Sequence, residues 1–270
     1  MPDRRTLLRV EHLRKVYEST TGSVEAIGDV SFTMAAGELV CVVGPSGCGK
    51  TTLLKCLAGL LRPTSGVVEM DGAPVTGPSP ATAVVFQEYG RSLYPWLTVR
   101  GNVELPLRHK KLSRAQRHGL VADALDAVGL AHAALSHPWQ LSGGMQQRVA
   151  IARAVAYQPE VLIMDEPFAA VDAQTRADLE DLVRELHRSR GMSIVFVTHD
   201  IDESVYLGQR VLVLSGSPTR VQEDLAIDLP PERDQIGTRA LPRFTHLRTH
   251  VHGEIRRAKR GQAAAPRPAP

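Results

Sequence analysis

The sequence has little of several features that would place the protein in a special class. It contains no run of the roughly 18 apolar residues that a membrane-spanning helix needs. Its first ten residues, MPDRRTLLRV, lack the apolar core of a signal peptide. We therefore expect a chain that stays in the cytosol, where it can still touch a membrane protein.

Cysteine and net charge are also scarce. Cys41, Cys48 and Cys56 are an odd set at spacings that match no zinc framework, which favours a reducing compartment. A formal net charge of +3 over 270 residues gives little support for a nucleic-acid partner, since such binding depends on neutralising phosphates. The hydrophobic share of 43% is ordinary for a folded chain, so disorder is not expected.

The spacing of the apolar residues that are present predicts an α/β fold. Residues 7–17 and 24–34 alternate apolar and polar positions, as half-buried strands do. Residues 98–157 follow a helical pattern and therefore predict a helical insert. Further buried strands are predicted at LVCVVG (39–44), VLIMDEP (161–167), SIVFVT (193–198) and RVLVLS (210–215). Alternating strands and helices predict a sheet covered by helices.

A phosphate-binding loop follows the strand at 39–44. A helix is predicted after Lys50, because Leu53, Leu54 and Leu57 recur at helical spacing. The pattern G-x-x-x-x-G-K-[ST] is formed by Gly44, Pro45, Ser46, Gly47, Cys48, Gly49, Lys50 and Thr51, with Thr52 next in this helix. The glycines let successive N–H groups point at phosphate oxygens, and the helix N-terminus adds partial positive charge. Lys50 is expected to reach the β- and γ-phosphates, and Thr51 to ligate Mg²⁺. A glycine-rich turn with a chance lysine would not explain the flanking strand and helix.

Polar residues follow two of these predicted strands and the apolar run AVVF (83–86), which also predicts a strand. Asp165 and Glu166 come after an apolar strand, at the sheet edge where we expect the phosphate loop. Asp165 is predicted to hold Mg²⁺, and Glu166 to orient and deprotonate the attacking water. His199 could hydrogen-bond a γ-phosphate, and Gln87 could ligate Mg²⁺ or position water. A polar exit from a strand is the alternative for each, and the phosphate loop favours catalysis.

A second glycine-rich segment carries a family resemblance. Leu141-Ser142-Gly143-Gly144-Met145-Gln146 precedes a helical stretch, so Ser142 is expected to cap that helix beside a second anion site. The segment resembles the signature motif of ABC ATPases. The phosphate loop, Gln87, the signature, Asp165-Glu166, Val171-Asp172 and His199 also occur in that family's order, across about residues 7–220.

The resemblance implies an ABC ATPase architecture and ATP with Mg²⁺ as ligands. Its parts would be a P-loop NTPase (RecA-like) core, an antiparallel β subdomain and an inserted helical subdomain. The ATPase domain would span 1–220 with the insert at about 90–158, followed by an extension at 221–261 and a disordered tail at 262–270. Tyr17, expected to end its strand, would stack on adenine.

In the ABC family, two chains enclose each nucleotide. Ser142, Gly143 and Gly144 of one subunit would cap the γ-phosphate held by another, and Asp172 would lie at the seam of the homodimer. Two departures are mild: Met145 stands where many members have Gln, and the seam has the sequence AAVD instead of ALD. Neither removes a phosphate ligand or a carboxylate.

Several stretches resemble the nitrate, sulfonate and taurine importer group, among them QEYGRSLYPWLTVRGNVELPLR and HPWQLSGGMQQRVAIARA. Partners would be two membrane permease subunits and, through the complex, an extracytoplasmic solute-binding protein, with the chain peripheral at the cytoplasmic face of the inner membrane. Tyr94, Pro95 and Trp96 are candidates for the permease contact; packing within the insert is the alternative. A non-transport ABC ATPase of DNA repair or translation, and a regulator without hydrolysis, are the rival functions.

Overall fold

The computed structural model describes residues 5–20, 22–87 and 89–264, and it divides into two compact units. The first unit comprises Met1–Ser79 together with Met192–Pro270, and the second comprises Pro80–Gly191. The predicted helical insert at about 90–158 falls inside the second unit. Within the described residues, every helix is too short or too polar to cross a membrane.

The elements are numbered in chain order. The strands are β1 (Thr6–Ser19), β2 (Gly22–Ala35), β3 (Leu39–Val43), β4 (Ser65–Met70), β5 (Ala73–Pro74), β6 (Thr82–Val85), β7 (Val161–Asp165), β8 (Ser193–Val197), β9 (Arg210–Leu214) and β10 (Thr219–Ala226). The α-helices are α1 (Lys50–Leu57), α2 (Tyr89–Ser92), α3 (Val99–Glu104), α4 (Arg114–Ala127), α5 (Gly143–Ala156), α6 (Ala173–Arg190), α7 (Ile201–Leu207), α8 (Gly237–Ala240) and α9 (Pro242–Ala264). Short 3₁₀ helices lie at Leu105–His109, Ala131–Ala133 and Pro138–Gln140.

The first unit is built on a mixed sheet with the strand order β5-β4-β1-β2-β10-β9-β3-β8. β1 is antiparallel to β2 and β4, whereas β3 is parallel to both β8 and β9. β3 and β8 are buried at every position, as expected for apolar strands covered on both faces. β10 joins the two parts of the sheet, because it pairs with β2 on one side and β9 on the other.

The second unit contains a parallel strand pair and the helical insert. β6 pairs with β7 in a register that places Val85 opposite Met164. α3, α4 and α5 pack against one another, with Val103, Val121 and Ile151 buried between them. The helical pattern predicted for 98–157 is confirmed, since α3 begins at Val99 and α5 ends at Ala156.

The segment after residue 221 differs from the sequence-based expectation. β10 extends to Ala226, so a boundary at 220/221 would cut through a strand of the sheet. The segment also contains a long helix, since α9 is 23 residues long. Its buried face recurs at helical spacing, with Phe244, Leu247, Val251, Ile255 and Ala258. Residues 262–264 of the predicted disordered tail belong to α9, and 265–270 lie outside the described residues.

Arg233 connects this C-terminal segment to α7. Its Nη1 donates to the carbonyl oxygens of Val205 at 3.2 Å, Tyr206 at 2.7 Å and Gly208 at 3.0 Å. The last carbonyls of a helix have no partner within the helix, and a cation there also interacts favourably with the helix dipole. The Arg239 guanidinium adds a second link, lying 5.0 Å from the Tyr206 ring centroid.

Replacing Arg233 should therefore destabilise the protein. Arg233→Ala removes charged donors from the three carbonyls at the end of α7, and we expect unfolding to become easier by about 1.5–3 kcal/mol. The measurement is urea unfolding followed by circular dichroism. Arg256→Ala is the matched control, because Arg256 is exposed on α9, and its effect should stay within about 0.5 kcal/mol. Equal midpoints for the two variants would contradict the role of Arg233 as a cap.

Candidate functional site

The phosphate loop connects β3 to α1 and has the backbone that its glycines permit. Gly47 has φ 74° and Gly49 has φ 109°, a left-handed region that favours glycine. Gly49 is the N-cap of α1, and its carbonyl accepts from the Leu53 N–H at 2.9 Å. Ser46, Gly47 and Thr51 are exposed along the loop, while Pro45 and Cys48 are buried beneath it. The loop therefore presents backbone N–H groups at a helix N-terminus, as an anion site requires.

Thr219 on β10 holds this loop in place. Its Oγ1 donates to the carbonyl oxygens of Ala26, at 2.9 Å, and Cys48. A Cβ on Gly49 would lie 2.8 Å from Thr219 Oγ1 and 3.0 Å from the Ala26 oxygen, so only glycine fits. Thr219 was not predicted from the sequence, because it lies far along the chain from the loop and in no recognisable motif.

The charge of Lys50 lies within the loop. Only 7% of Lys50 is exposed, and its Nζ donates to the carbonyl oxygens of Gly44 at 3.1 Å and Pro45 at 3.2 Å. Burial raises the pKa of the neighbouring Cys48 thiol, although the charge of Lys50 partly opposes the shift. Cys48 thus stays neutral and adds no negative charge where phosphate would bind.

Tyr17 and Thr52 meet beside the loop. The hydroxyl groups of these two residues are 3.3 Å apart, which ties the tyrosine to α1, and 42% of Tyr17 is exposed. Lys15 Nζ lies 5.3 Å from the tyrosine ring centroid. β1 continues past Tyr17 to Ser19, so the prediction that Tyr17 ends its strand was wrong by two residues.

His199 emerges from the strand next to β3. β3 and β8 are parallel, and the Thr198 N–H donates to the Val42 carbonyl at 3.1 Å, so His199 leaves the sheet at the same edge as the loop. His199 is exposed and borders a cavity of about 550 Å³. The cavity is lined by His199, Asp200, Ile201, Asp202, Arg248, Thr249 and His252. α9 therefore contributes side chains near His199, a contact that was not predicted from the sequence.

In the second unit, Asp165 and Glu166 stand at the end of β7. Asp165 is 7% exposed and closes the strand, whereas Glu166 is half-buried and begins the turn, in which Ala169 N–H donates to its carbonyl at 3.2 Å. Glu166 has φ 44°, a strained conformation for a residue with a Cβ. Such strain costs about 1–3 kcal/mol and concentrates at functional positions.

Gln87 follows β6, the strand that pairs with β7, so it lies at the same sheet edge as this carboxylate pair. Val85 is opposite Met164 in the parallel pairing of β6 and β7, so Gln87 and Glu166 each stand two residues beyond paired positions. Gln87 is exposed. The ends of two adjacent parallel strands thus bring an amide and two carboxylates to one edge, as the sequence predicted.

The signature segment and Asp172 meet through Thr175. Ser142 caps α5 by accepting from the Met145 N–H at 3.3 Å, and Gly143 and Gly144 form the first turn. Asp172 caps α6: Oδ1 accepts from the Thr175 N–H at 2.9 Å, and Oδ2 from its hydroxyl at 2.7 Å. These bonds lower the pKa of Asp172 and keep it charged. A Cβ on Gly144 would lie 2.4 Å from Thr175 Cγ2, so the two helix starts are in close contact.

The predicted site residues therefore form two groups. The phosphate loop, Tyr17 and His199 belong to the first unit. The loop and His199 leave the sheet at one edge, and Tyr17 on β1 contacts Thr52 on α1. Gln87, the signature and the acidic residues belong to the second unit. The first group has the chemistry to bind a nucleotide, and the second has ligands for a hard cation, a candidate base and two capped helix N-termini.

An exposed aromatic pair lies elsewhere on the second unit. Tyr94 is 40% and Trp96 70% exposed, and their rings meet edge-on with centroids 5.2 Å apart. Asn102, fully buried, holds the intervening loop by accepting from the Tyr94 N–H and donating to the carbonyls of Tyr94, Leu97 and Thr98. Asn102 was not singled out from the sequence, because one amide in a helical pattern carries no signal.

Comparisons with known proteins agree on one family. A family model described as ABC transporter matches residues 27–169. The nitrate import ATP-binding protein NrtD of Synechocystis is 44% identical over 84% of this chain and 85% of its own length. The taurine import ATP-binding protein TauB of Yersinia pseudotuberculosis is 47% identical over 85% and 91%, respectively. The dimeric post-hydrolysis structure of the ATP-binding cassette MJ0796 with ADP and Pi superposes with a TM-score of 0.71 at 31% identity, covering 82% of this chain and 99% of that one.

Gly49 offers a direct test of the loop. Gly49→Ala forces a left-handed alanine against Thr219 and the Ala26 carbonyl, which should displace the N–H groups of the loop. We expect the dissociation constant for ATP to rise about 10-fold or more, equivalent to about 1.4 kcal/mol. Equilibrium binding of a fluorescent ATP analogue gives the constant. Gly119→Ala in α4, where the added Cβ meets open space, should leave it unchanged; equal affinities in both variants would refute the crowding argument.

Proposed function

The chain belongs to the ABC transporter family, and from that premise we propose that it energises an importer for a small anion such as nitrate, taurine or an aliphatic sulfonate. Its activity is that of the family's ATP-binding subunits: ATP hydrolysis coupled to transport. The import functions in the names of NrtD and TauB support the cargo class, and they give no support to the DNA-repair or translation alternative.

The observation that carries the proposal is the phosphate loop. Lys50 places a buried positive charge inside a turn whose backbone N–H groups end at a helix N-terminus. That arrangement suits the β- and γ-phosphates of ATP, because cationic donors there offset the charge of the triphosphate. Tyr17, held by Thr52 with part of its ring exposed, supplies a stacking surface for adenine.

The described donors also fit Mg²⁺. The ion prefers oxygen ligands, and Thr51, Gln87 and Asp165 offer a hydroxyl, an amide oxygen and a carboxylate. These residues would hold Mg²⁺, which would supply positive charge to offset the negative charge that develops on the phosphate oxygens. We assign Asp165 as a Mg²⁺ ligand because it is nearly buried at the end of β7, a position that restricts the orientation of its carboxylate.

We assign Glu166 as the general base. Its carboxylate would take a proton from water while the water oxygen attacks the γ-phosphorus. The bond from the γ-phosphorus to the bridging oxygen then breaks, giving ADP and phosphate. His199, exposed beside the loop's sheet edge, would hydrogen-bond the γ-phosphate and hold it in line for attack.

A second copy of the chain is proposed to complete each site. Ser142, Gly143 and Gly144 would present the α5 N-terminus to the γ-phosphate bound by the partner's loop, with Asp172 at the seam. The related MJ0796 cassette is dimeric in its structure with ADP and Pi, which supports this arrangement. ATP would hold the dimer closed, and hydrolysis would release it.

We further propose that the chain binds two permease subunits at the cytoplasmic face of the inner membrane, and through them a solute-binding protein. Tyr94, Pro95 and Trp96 are the candidate contact. The exposed rings of Tyr94 and Trp96 support docking over internal packing, since aromatic side chains often anchor interfaces. Asn102 would keep this loop in one conformation in the free subunit.

Glu166→Gln tests the catalytic assignment. The amide keeps the shape of the side chain but cannot accept the proton, so phosphate release should fall at least about 100-fold while ATP still binds. ATP should also trap the variant as a dimer in size-exclusion chromatography. Glu185→Gln is the control on the exposed face of α6, and it should hydrolyse ATP at the wild-type rate. Normal turnover by Glu166→Gln would disprove the base assignment.

Growth tests the proposed cargo. A strain that lacks this gene should fail to grow when one of taurine, an aliphatic sulfonate or nitrate is its sole source of sulfur or nitrogen. It should grow normally on sulfate with ammonium, since neither then requires the importer. The wild-type gene should restore growth and the Glu166→Gln gene should not. Undiminished growth on all three anions would refute the cargo class and leave the ATPase assignment standing.

A further inference from the structure

A cluster of potential metal ligands lies where α9 packs on the sheet of the first unit. Glu223 projects from β10, and His250 and Glu254 are four residues apart on α9, so both occupy one face of that helix. One ligand atom from each of the three residues lies within 4.8 Å of the other two. Two elements distant in sequence thus converge on one point with two carboxylates and an imidazole.

The two outer ligands are already oriented towards each other. His250 Nε2 and Glu223 Oε1 are 2.7 Å apart, and the two side chains are 39% and 28% exposed. This exposure leaves room for a water molecule beside them. Metal sites with an open coordination position combine ligands of this kind, an imidazole nitrogen and a carboxylate oxygen close together and accessible to solvent.

The inner ligand is held by neighbouring side chains. Glu254 is 6% exposed, Gln222 Nε2 donates to its Oε2 at 2.8 Å, and Arg257 Nη1 donates to its Oε1. Each carboxylate oxygen has a second lone pair, so these bonds leave ligating capacity. Outer hydrogen bonds of this kind fix the orientation of metal-ligating carboxylates in proteins.

We propose that Glu223, His250 and Glu254 bind a divalent transition-metal ion of the zinc type. One nitrogen and two oxygen ligands suit Zn²⁺, whose usual set includes His and carboxylates, with water in the fourth position. Mg²⁺ and Ca²⁺ prefer oxygen ligands alone, so the imidazole selects against them. With His250 neutral, the two glutamates carry two negative charges and Arg257 offsets one, so a cation is favoured electrostatically.

Binding would tie α9 to β10. Since His250 and Glu254 come from the helix and Glu223 from the strand, an ion shared by all three stabilises their contact. α9 also carries Arg248, Thr249 and His252, which line the cavity next to His199. The site would therefore fix the helix that borders the sequence-predicted γ-phosphate contact. The competing arrangement is a simple ion pair between Glu223 and a protonated His250.

Metal titration of the untagged, nucleotide-free full chain decides between the two. Zn²⁺ is titrated by calorimetry, and Co²⁺ by visible absorbance, which reports four- or five-coordinate binding. We expect one ion per chain, with affinity at least about 10-fold weaker in His250→Gln and Glu223→Gln. His246→Gln is the matched control, because His246 lies exposed on the same helix but outside the cluster. Its affinity should equal that of the wild type.

Three results would overturn the proposal. One is the lack of saturable Zn²⁺ binding in the wild type, which would leave the ion pair as the explanation. Another is unchanged affinity in both His250→Gln and Glu223→Gln. The third is loss of binding in Cys48→Ser or Cys56→Ser, which would place the ion at a thiol instead. Thermal unfolding without metal shows whether each variant folds, and a given Zn²⁺ concentration should raise the midpoint less in His250→Gln and Glu223→Gln than in the wild type, His246→Gln and the two cysteine variants.

Discussion

The hydroxyl of Thr219 is the contact on which the arrangement of the first unit depends. It reaches the Cys48 carbonyl in the phosphate loop and the Ala26 carbonyl in β2. Thr219 can do this because β10 lies between β2 and β9 and so joins the antiparallel and parallel parts of the sheet. The loop's left-handed glycine at position 49 is packed against the same hydroxyl. The first residue of β10 therefore links the pairing of the sheet to the conformation of the loop that we propose binds phosphate.

Much of the fold was predictable because burial leaves a direct trace in sequence. The apolar runs of β3 and β8 and the alternation of β1 and β2 predicted strands that the structure contains. α9 was missed although Phe244, Leu247 and Val251 recur at helical spacing, since the histidines and arginines between them obscured the pattern. The hydrogen bonds from Arg233 to the end of α7 had no local signature in the sequence, because the acceptors are backbone carbonyls, which every residue has.

In the candidate site, the positions of residues were predictable from the sequence and their backbone conformations were not. Parallel strands end at one edge, so motifs placed at strand ends predicted that Gln87 would accompany Asp165 and that His199 would leave the sheet beside the phosphate loop. Conformation within the site was not predictable. The left-handed backbone of Glu166 violates the local preference of its residue type, and local preference is what a sequence pattern reports. Strain of this kind is kept only where surrounding packing imposes it.

Thr175 links the signature segment to Asp172 in the second unit. Both oxygens of Asp172 bind Thr175, and the Thr175 methyl group occupies the space that a side chain at position 144 would need. The starts of α5 and α6 are thus packed without slack, and a shift of one must displace the other. In the proposed dimer, the signature would contact the partner's γ-phosphate while Asp172 lies at the seam. When the phosphate leaves one site, a shift of the signature would then move Asp172 at the seam through Thr175, because close-packed groups transmit displacement.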